Sequence, residues 1–95
     1  MKSLPMVVSI EAKPDKVNFM KEQLLKLVGL TKDEEGCLRY DLHQDNKNPA
    51  IFVFYEVWAT KKLWKRHDLS EHVVEFKKLT ADCTENIIFH QLTLL

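Results

Sequence analysis

Two histidines, one carboxylate and a group of aromatic residues carry whatever chemistry this chain has. His67 and His72 lie five positions apart around Ser70, a residue type that suits a helix break or a new helix cap. Helical pieces on either side of such a break can bring both rings to one cavity. A histidine facing a mostly apolar pocket is suited to taking or giving a proton near neutral pH. The same pair is a poor metal signature, since ligands on one helical face want a spacing of three or four, and no cysteine or carboxylate cluster completes a set. No metal is expected. Glu56 falls on the same strand face as Phe52, Phe54 and Trp58, where a carboxylate needs a partner or a changed pKa. Two readings stay open for it: a buried bond or ion pair, for example to Arg39, or a group that orients a histidine or a substrate hydroxyl. Tyr40, Tyr55 and Trp58 are favourable strand residues that would join a core whatever the function. Trp64 suits helix packing, and His43 and His90 stand near strand ends, where solvent or local hydrogen bonds would serve them.

The elements that must position these residues follow from periodicity. From Met6 to Ala12 apolar and mixed positions alternate, as in a half-buried strand. Pro14 and Asp15 suit a first helical turn, and Val17, Met20, Leu24, Leu27 and Val28 then recur at helical spacing. That helix should end near Gly29 and the polar run Thr31-Lys32-Asp33-Glu34-Glu35-Gly36. The runs Cys37 to Gln44 and Ile51 to Ala59, joined by Asp45-Asn46-Lys47-Asn48-Pro49, read as a hairpin. In the second run Ile51, Val53, Tyr55 and Val57 alternate with Phe52, Phe54, Glu56 and Trp58, so both faces are largely apolar and both should be covered. Thr60 can cap a second helical region whose apolar positions are Leu63, Trp64, Leu69, Val73, Phe76 and Leu79. Asn86 to Leu94 reads as the last strand. The order β-α-β-β-α-β is the ferredoxin-like arrangement, an α+β fold with a four-stranded antiparallel sheet and two helical regions on one face. The uncovered face of that sheet would be strongly apolar, and the same face of a second copy is its simplest cover, so a homodimer is expected.

Composition narrows the function classes. Ninety-five residues fit one domain, here 1–95, and the 14 acidic and 14 basic residues balance. That removes the electrostatic argument for nucleic acid or an anionic membrane. The one basic cluster, Lys61, Lys62, Lys65 and Arg66, reads as the wet face of a helix. No stretch matches a signal peptide or a membrane span, and the two cysteines, Cys37 and Cys83, sit in no metal or redox spacing. A cytoplasmic protein with reduced thiols is expected. With only Gly29 and Gly36, there is no phosphate loop, so a nucleotide or flavin site of standard type has no basis.

The segments Glu35-Gly36-Cys37-Leu38-Arg39-Tyr40, Phe52-Val53-Phe54-Tyr55-Glu56-Val57-Trp58 and His67-Asp68-Leu69-Ser70-Glu71-His72 resemble the antibiotic biosynthesis monooxygenase (ABM) domain, most closely its small bacterial quinol monooxygenase branch. The resemblance runs from Val7 to the last strand. It implies a dimeric α/β barrel built from two ferredoxin-like protomers, with a pocket between sheet and helices. It further implies a cofactor-independent monooxygenase that oxidises a small phenolic, aromatic or quinol substrate with O2. By resemblance His67, His72 and Glu56 would do the chemistry, with His67 as base or orienting group. Tyr40, Phe54, Trp58 and Trp64 would contact the substrate. Haem degradation is disfavoured, because the first strand has no Asn and no His falls between His72 and His90. A phosphorylated substrate is disfavoured too, since neither Arg39 nor Arg66 is obviously placed for phosphate. A small-metabolite isomerase and a non-catalytic small-molecule-binding dimer are the alternatives.

Overall fold

The structure is a computed structural model that describes residues 2–95. Strand β1 (Leu4–Ala12) leads through a 3-10 turn at Pro14–Lys16 into helix α1 (Val17–Thr31). The hairpin β2 (Cys37–Gln44) and β3 (Ile51–Trp58) follows. Helices α2 (Lys61–Asp68) and α3 (Glu71–Thr80), a second 3-10 turn at Ala81–Cys83 and strand β4 (Thr84–Gln91) complete the chain. The four strands form one antiparallel sheet in the order β2-β3-β1-β4. This is the ferredoxin-like α+β fold that the alternation of patterns predicts.

Each element has a local cause. Proline at the start of the first 3-10 turn has no N–H to lose there and its fixed φ favours the turn. On α1 the apolar spacing buries Met20, Leu24 and Leu27 against the sheet. The helix passes through Gly29, where nothing requires a special φ, and ends at Thr31, where the polar run begins. The glycine that ends the connection is Gly36, whose φ of +86° is open to glycine at little cost. In the hairpin, Asp45 Oδ1 accepts from the backbone N–H groups of Lys47 and Asn48, an Asx-type turn that tightens the loop. Thr60 caps α2 by accepting from Leu63 N–H at 3.1 Å.

The second helical region is two helices, not one, and the break falls at Leu69 and Ser70. Leu69 was expected on the apolar stripe, yet it is 78% exposed, because the break rotates the chain before α3 begins. Ser70 takes the cap position of α3 but makes no side-chain cap bond; its hydroxyl lies near His72 instead. The last strand starts two residues earlier than the pattern implied and ends at Gln91, with Leu92 N–H still bonded to Pro5 O at 2.8 Å.

The core lies between the sheet and the helices. Met6, Val8, Ile10 and Ala12 of β1 and Phe52, Phe54 and Trp58 of β3 meet Met20, Leu24 and Leu27 of α1 and Val73 of α3. Strand β4 pairs with β1 through Ile10–Ile87 and Val8–Phe89, at an edge the helical layer does not fully cover. Ile87 and Phe89 therefore stay about half exposed, at 42% and 48%. On the opposite face Val7, Val53, Tyr55 and Val57 are only partly shielded. Both thiols are free, with Cys83 in the core and Cys37 at the start of β2. No helix among the described residues is long and apolar enough to cross a membrane.

Candidate active site

The half-open edge beside β4 creates a cleft. An inner pocket of about 70 Å³ lies between sheet and helices, walled by Val8, Phe54, Tyr40, Glu56, Trp64 and His67. It shares Ile10, Trp64, Phe76, Ile87 and Phe89 with an outer cleft of about 390 Å³ that reaches the surface. Asp68 at the end of α2 and Lys77 on α3 line both spaces, and Lys77 Nζ donates to Asp68 Oδ1 at 3.2 Å. The walls are otherwise almost wholly apolar, so any polar group inside stands out.

His67 is the central one. Its position in the last turn of α2 places the ring between Trp58, with centroids 4.5 Å apart and planes at 31°, and the edge of Tyr40 at 5.6 Å. The ring is nine-tenths buried. Its Nδ1 lies 2.5 Å from Glu34 Oε2 and donates to that oxygen. Nε2 has no protein partner among the described residues and is the nitrogen left to meet a bound molecule. Burial lowers the pKa of His67 below its ordinary value, against the opposing pull of the Glu34 carboxylate. The imidazole is thus held neutral and ready to accept a proton.

Glu56 is buried on the same face, as the alternation of β3 required. Its partner is not Arg39, as one reading held. Strand β2 turns Arg39 to the other side, where it pairs with Asp41 at 2.6 Å and lies over the Tyr55 ring. Glu56 instead accepts from the Trp58 indole N–H at 2.9 Å. Desolvation pushes the Glu56 pKa up to about 7, with the Trp58 bond working the other way and Asp68 adding a smaller upward push. A carboxyl in that state can donate a hydrogen bond or shuttle a proton near neutrality. Burial also pushes the Tyr40 hydroxyl up, so it is a neutral donor at physiological pH. The Cys37 thiol is pushed up to about 11, chiefly by burial, which removes it as a nucleophile.

The structure thus brings His67, Glu56, Tyr40, Phe54 and Trp64 to one pocket, while Trp58 stands behind it as the platform for His67 and the donor to Glu56. His72 is not on the pocket wall. Its Nε2 lies 3.2 Å from Glu34 Oε2 and 3.3 Å from Ser70 Oγ. The residue that sequence reasoning missed is Glu34. It sits in the polar turn after α1, where a glutamate looks like solvent-facing loop chemistry, and nothing in the pattern separates it from Asp33 or Glu35. It also overturns the expectation that no carboxylate joins the two histidines: Glu34, His67 and His72 place their ligand-type atoms within 4.8 Å of one another.

The sheet order, the three helices and an apolar pocket with His67 on its wall define a small ferredoxin-like α+β domain. The family model for antibiotic biosynthesis monooxygenase (ABM) matches residues 4–79, and the chain belongs to that family. The crystal structure of PA3566 from Pseudomonas aeruginosa is 30% identical, superposes with a TM-score of 0.95, and is covered over 96% of its length by 100% of this chain. A crystal structure of an antibiotic biosynthesis monooxygenase is 26% identical with a TM-score of 0.92, covering 97% of this chain and 98% of that one. An uncharacterised protein of Synechocystis sp., sll1783, is 30% identical over 84 residues, which is 82% of this chain. The chain spans only about half of that relative, 54% of its length.

Proposed function

We propose that this protein is a cofactor-independent monooxygenase that oxidises a small phenolic or quinol substrate with O2. The observation that carries the reading is His67, fixed at Nδ1 by Glu34 and set beside Glu56 and Tyr40 in the wall of a largely apolar pocket. The inner pocket is too small for a whole aromatic substrate. The ring would lie in the outer cleft against Trp64, Phe76 and Phe89, with its hydroxyl reaching inward to His67 Nε2. His67 takes the phenolic proton, and Glu34 stabilises the imidazolium that results. The electron-rich anion then gives an electron to O2, and recombination forms a carbon–oxygen bond. Loss of water leaves the new carbonyl. One oxygen atom enters the product, the other departs as water, and the substrate supplies both hydrogens. Tyr40 and the protonated form of Glu56, both on the wall of the inner pocket, would donate to developing oxygen charge.

The working unit in this proposal is a homodimer. The sheet face away from the helices presents Val7, Val53, Tyr55, Val57 and Ile88, an apolar surface that a second copy would bury isologously. The test of the activity is O2 uptake by purified, chelator-treated protein across a panel of naphthols, anthrones and benzenoid quinols. Consumption of one O2 per substrate with one oxygen atom from ¹⁸O2 retained in the product supports it. The absence of uptake across the panel counts against it.

A further inference from the structure

We infer that Glu34, His67 and His72 form a binding site for a divalent transition metal of the zinc type. Three donors converge from three separate segments: the turn after α1, the last turn of α2 and the first turn of α3. His67 Nδ1 lies 2.5 Å and His72 Nε2 lies 3.2 Å from the same oxygen, Glu34 Oε2. In a tetrahedral zinc site with metal–ligand bonds of about 2.0–2.1 Å, neighbouring ligand atoms stand about 3.3 Å apart. The His72–Glu34 pair already has that separation. The His67–Glu34 pair reaches it by an outward movement of under about 1 Å, within the range of a glutamate rotamer adjustment at a surface turn.

The surroundings suit a cation that arrives from solvent. Glu34 and Ser70 line a surface hollow that shares no residue with the apolar cleft, and both Glu34 and His72 keep about one-fifth of their side-chain surface exposed. The nearest guanidinium, Arg66, is occupied by Glu35 at 3.1 Å. Ser70 Oγ, 3.3 Å from His72 Nε2, or a water in the hollow can take the fourth position. Two imidazoles with one carboxylate is a donor set that suits Zn²⁺, Co²⁺, Ni²⁺ or Fe²⁺ and disfavours Mg²⁺ and Ca²⁺, which want oxygen. The helix break at Leu69 and Ser70 is what makes the five-residue spacing workable, because the two histidines belong to different helices.

One consequence rests on the proposed role of His67 as base. A metal on Nδ1 leaves the ring's single N–H on Nε2, so that atom turns from acceptor to donor towards the pocket. Metal binding and proton abstraction then compete, and the bound metal acts as an inhibitor. The site itself stands or falls on binding alone, independently of any turnover.

The experiment is calorimetric titration of the chelator-stripped protein with ZnCl2, with native mass spectrometry of the loaded sample. One zinc per chain is expected. His72→Ala and Glu34→Gln should each weaken binding by about 10-fold or more, while His43→Ala, at an exposed imidazole on β2, should leave it unchanged. Melting curves of each variant confirm that it is folded. Failure of the wild-type protein to bind zinc stoichiometrically, or binding that survives both Glu34→Gln and His72→Ala, overturns the inference. Loss of quinol oxidation, with zinc binding intact, would strike the proposed activity and leave the metal site standing.

Discussion

Glu34 Oε2 and His67 Nδ1 lie 2.5 Å apart although the two residues are 33 positions apart in the chain. The bond crosses from the turn after α1 to the last turn of α2, and it fixes which nitrogen of the histidine carries hydrogen. Nδ1–H is spent on the carboxylate, so Nε2 is left as the acceptor beside the cleft. Replacing Glu34 with Gln keeps the shape and removes the charge that favours the imidazolium. The expected result is a fall in kcat of about 10- to 100-fold with KM little changed. A variant whose KM rises while kcat holds would place Glu34 in substrate binding instead.

The second prediction concerns Glu56 and pH. The folded pKa of about 7 lies above the ordinary 4.5, so the folded state holds a proton that the unfolded chain has lost. Glu56 therefore favours folding least where it must be charged. Its contribution is most favourable below about pH 4.5, and stability declines as pH rises through the folded value near 7. Glu56→Gln keeps an acceptor for the Trp58 indole and cannot ionise. Chemical denaturation from pH 5 to 8 should show the variant gaining on the wild type, by at most about 3 kcal/mol at the alkaline end. A constant difference across that range would mean that Glu56 is charged in the folded protein throughout.

The two glycines give a contrasting pair. At Gly36 the φ of +86° disfavours any side chain, and an added Cβ would lie 2.5 Å from Leu63 Cδ1 and 2.8 Å from Leu63 Cβ. Gly36→Ala should cost about 1–3 kcal/mol and disturb the turn that carries Glu34. At Gly29 an added Cβ meets nothing within 4 Å, and the site is inside α1. Gly29→Ala should stabilise the protein by about 0.5–1 kcal/mol. Thermal melts of the two variants, run together, check both signs.

Much of this fold is legible in the sequence because it rests on periodicity. The alternation in β3 sorts Phe52, Phe54, Glu56 and Trp58 onto the buried face, and the structure keeps them there. The break at Ser70 is legible too, since a capping residue interrupts the helical run. The partners of the buried polar groups are not. Which carboxylate meets His67 depends on how the turn after α1 folds back over α2, and three acidic residues in a row, Asp33, Glu34 and Glu35, look alike in the sequence. Arg39 was the plausible mate for Glu56 by strand adjacency alone. Neighbouring positions across a sheet share a face only when the register says so, and the register aligns Tyr40, not Arg39, with Glu56.

The homodimer has its own test. A stable dimer through the open sheet face should bury about 1,500 Å² in total. Val53→Asp places a charge in the middle of that face. Sedimentation at micromolar concentration should give a dimer for the wild type and a monomer for the variant. A wild-type monomer would contradict the assembly.

The central claim is that His67 performs the proton transfer, and His67→Ala tests it most directly. Turnover of the best quinol in the O2-uptake panel, and melting temperature, are measured on the same preparation. The account predicts a folded protein whose turnover per folded molecule has fallen by about 10²-fold or more. A variant that melts earlier but keeps its rate would contradict it and make His67 a packing residue held between Trp58 and Glu34.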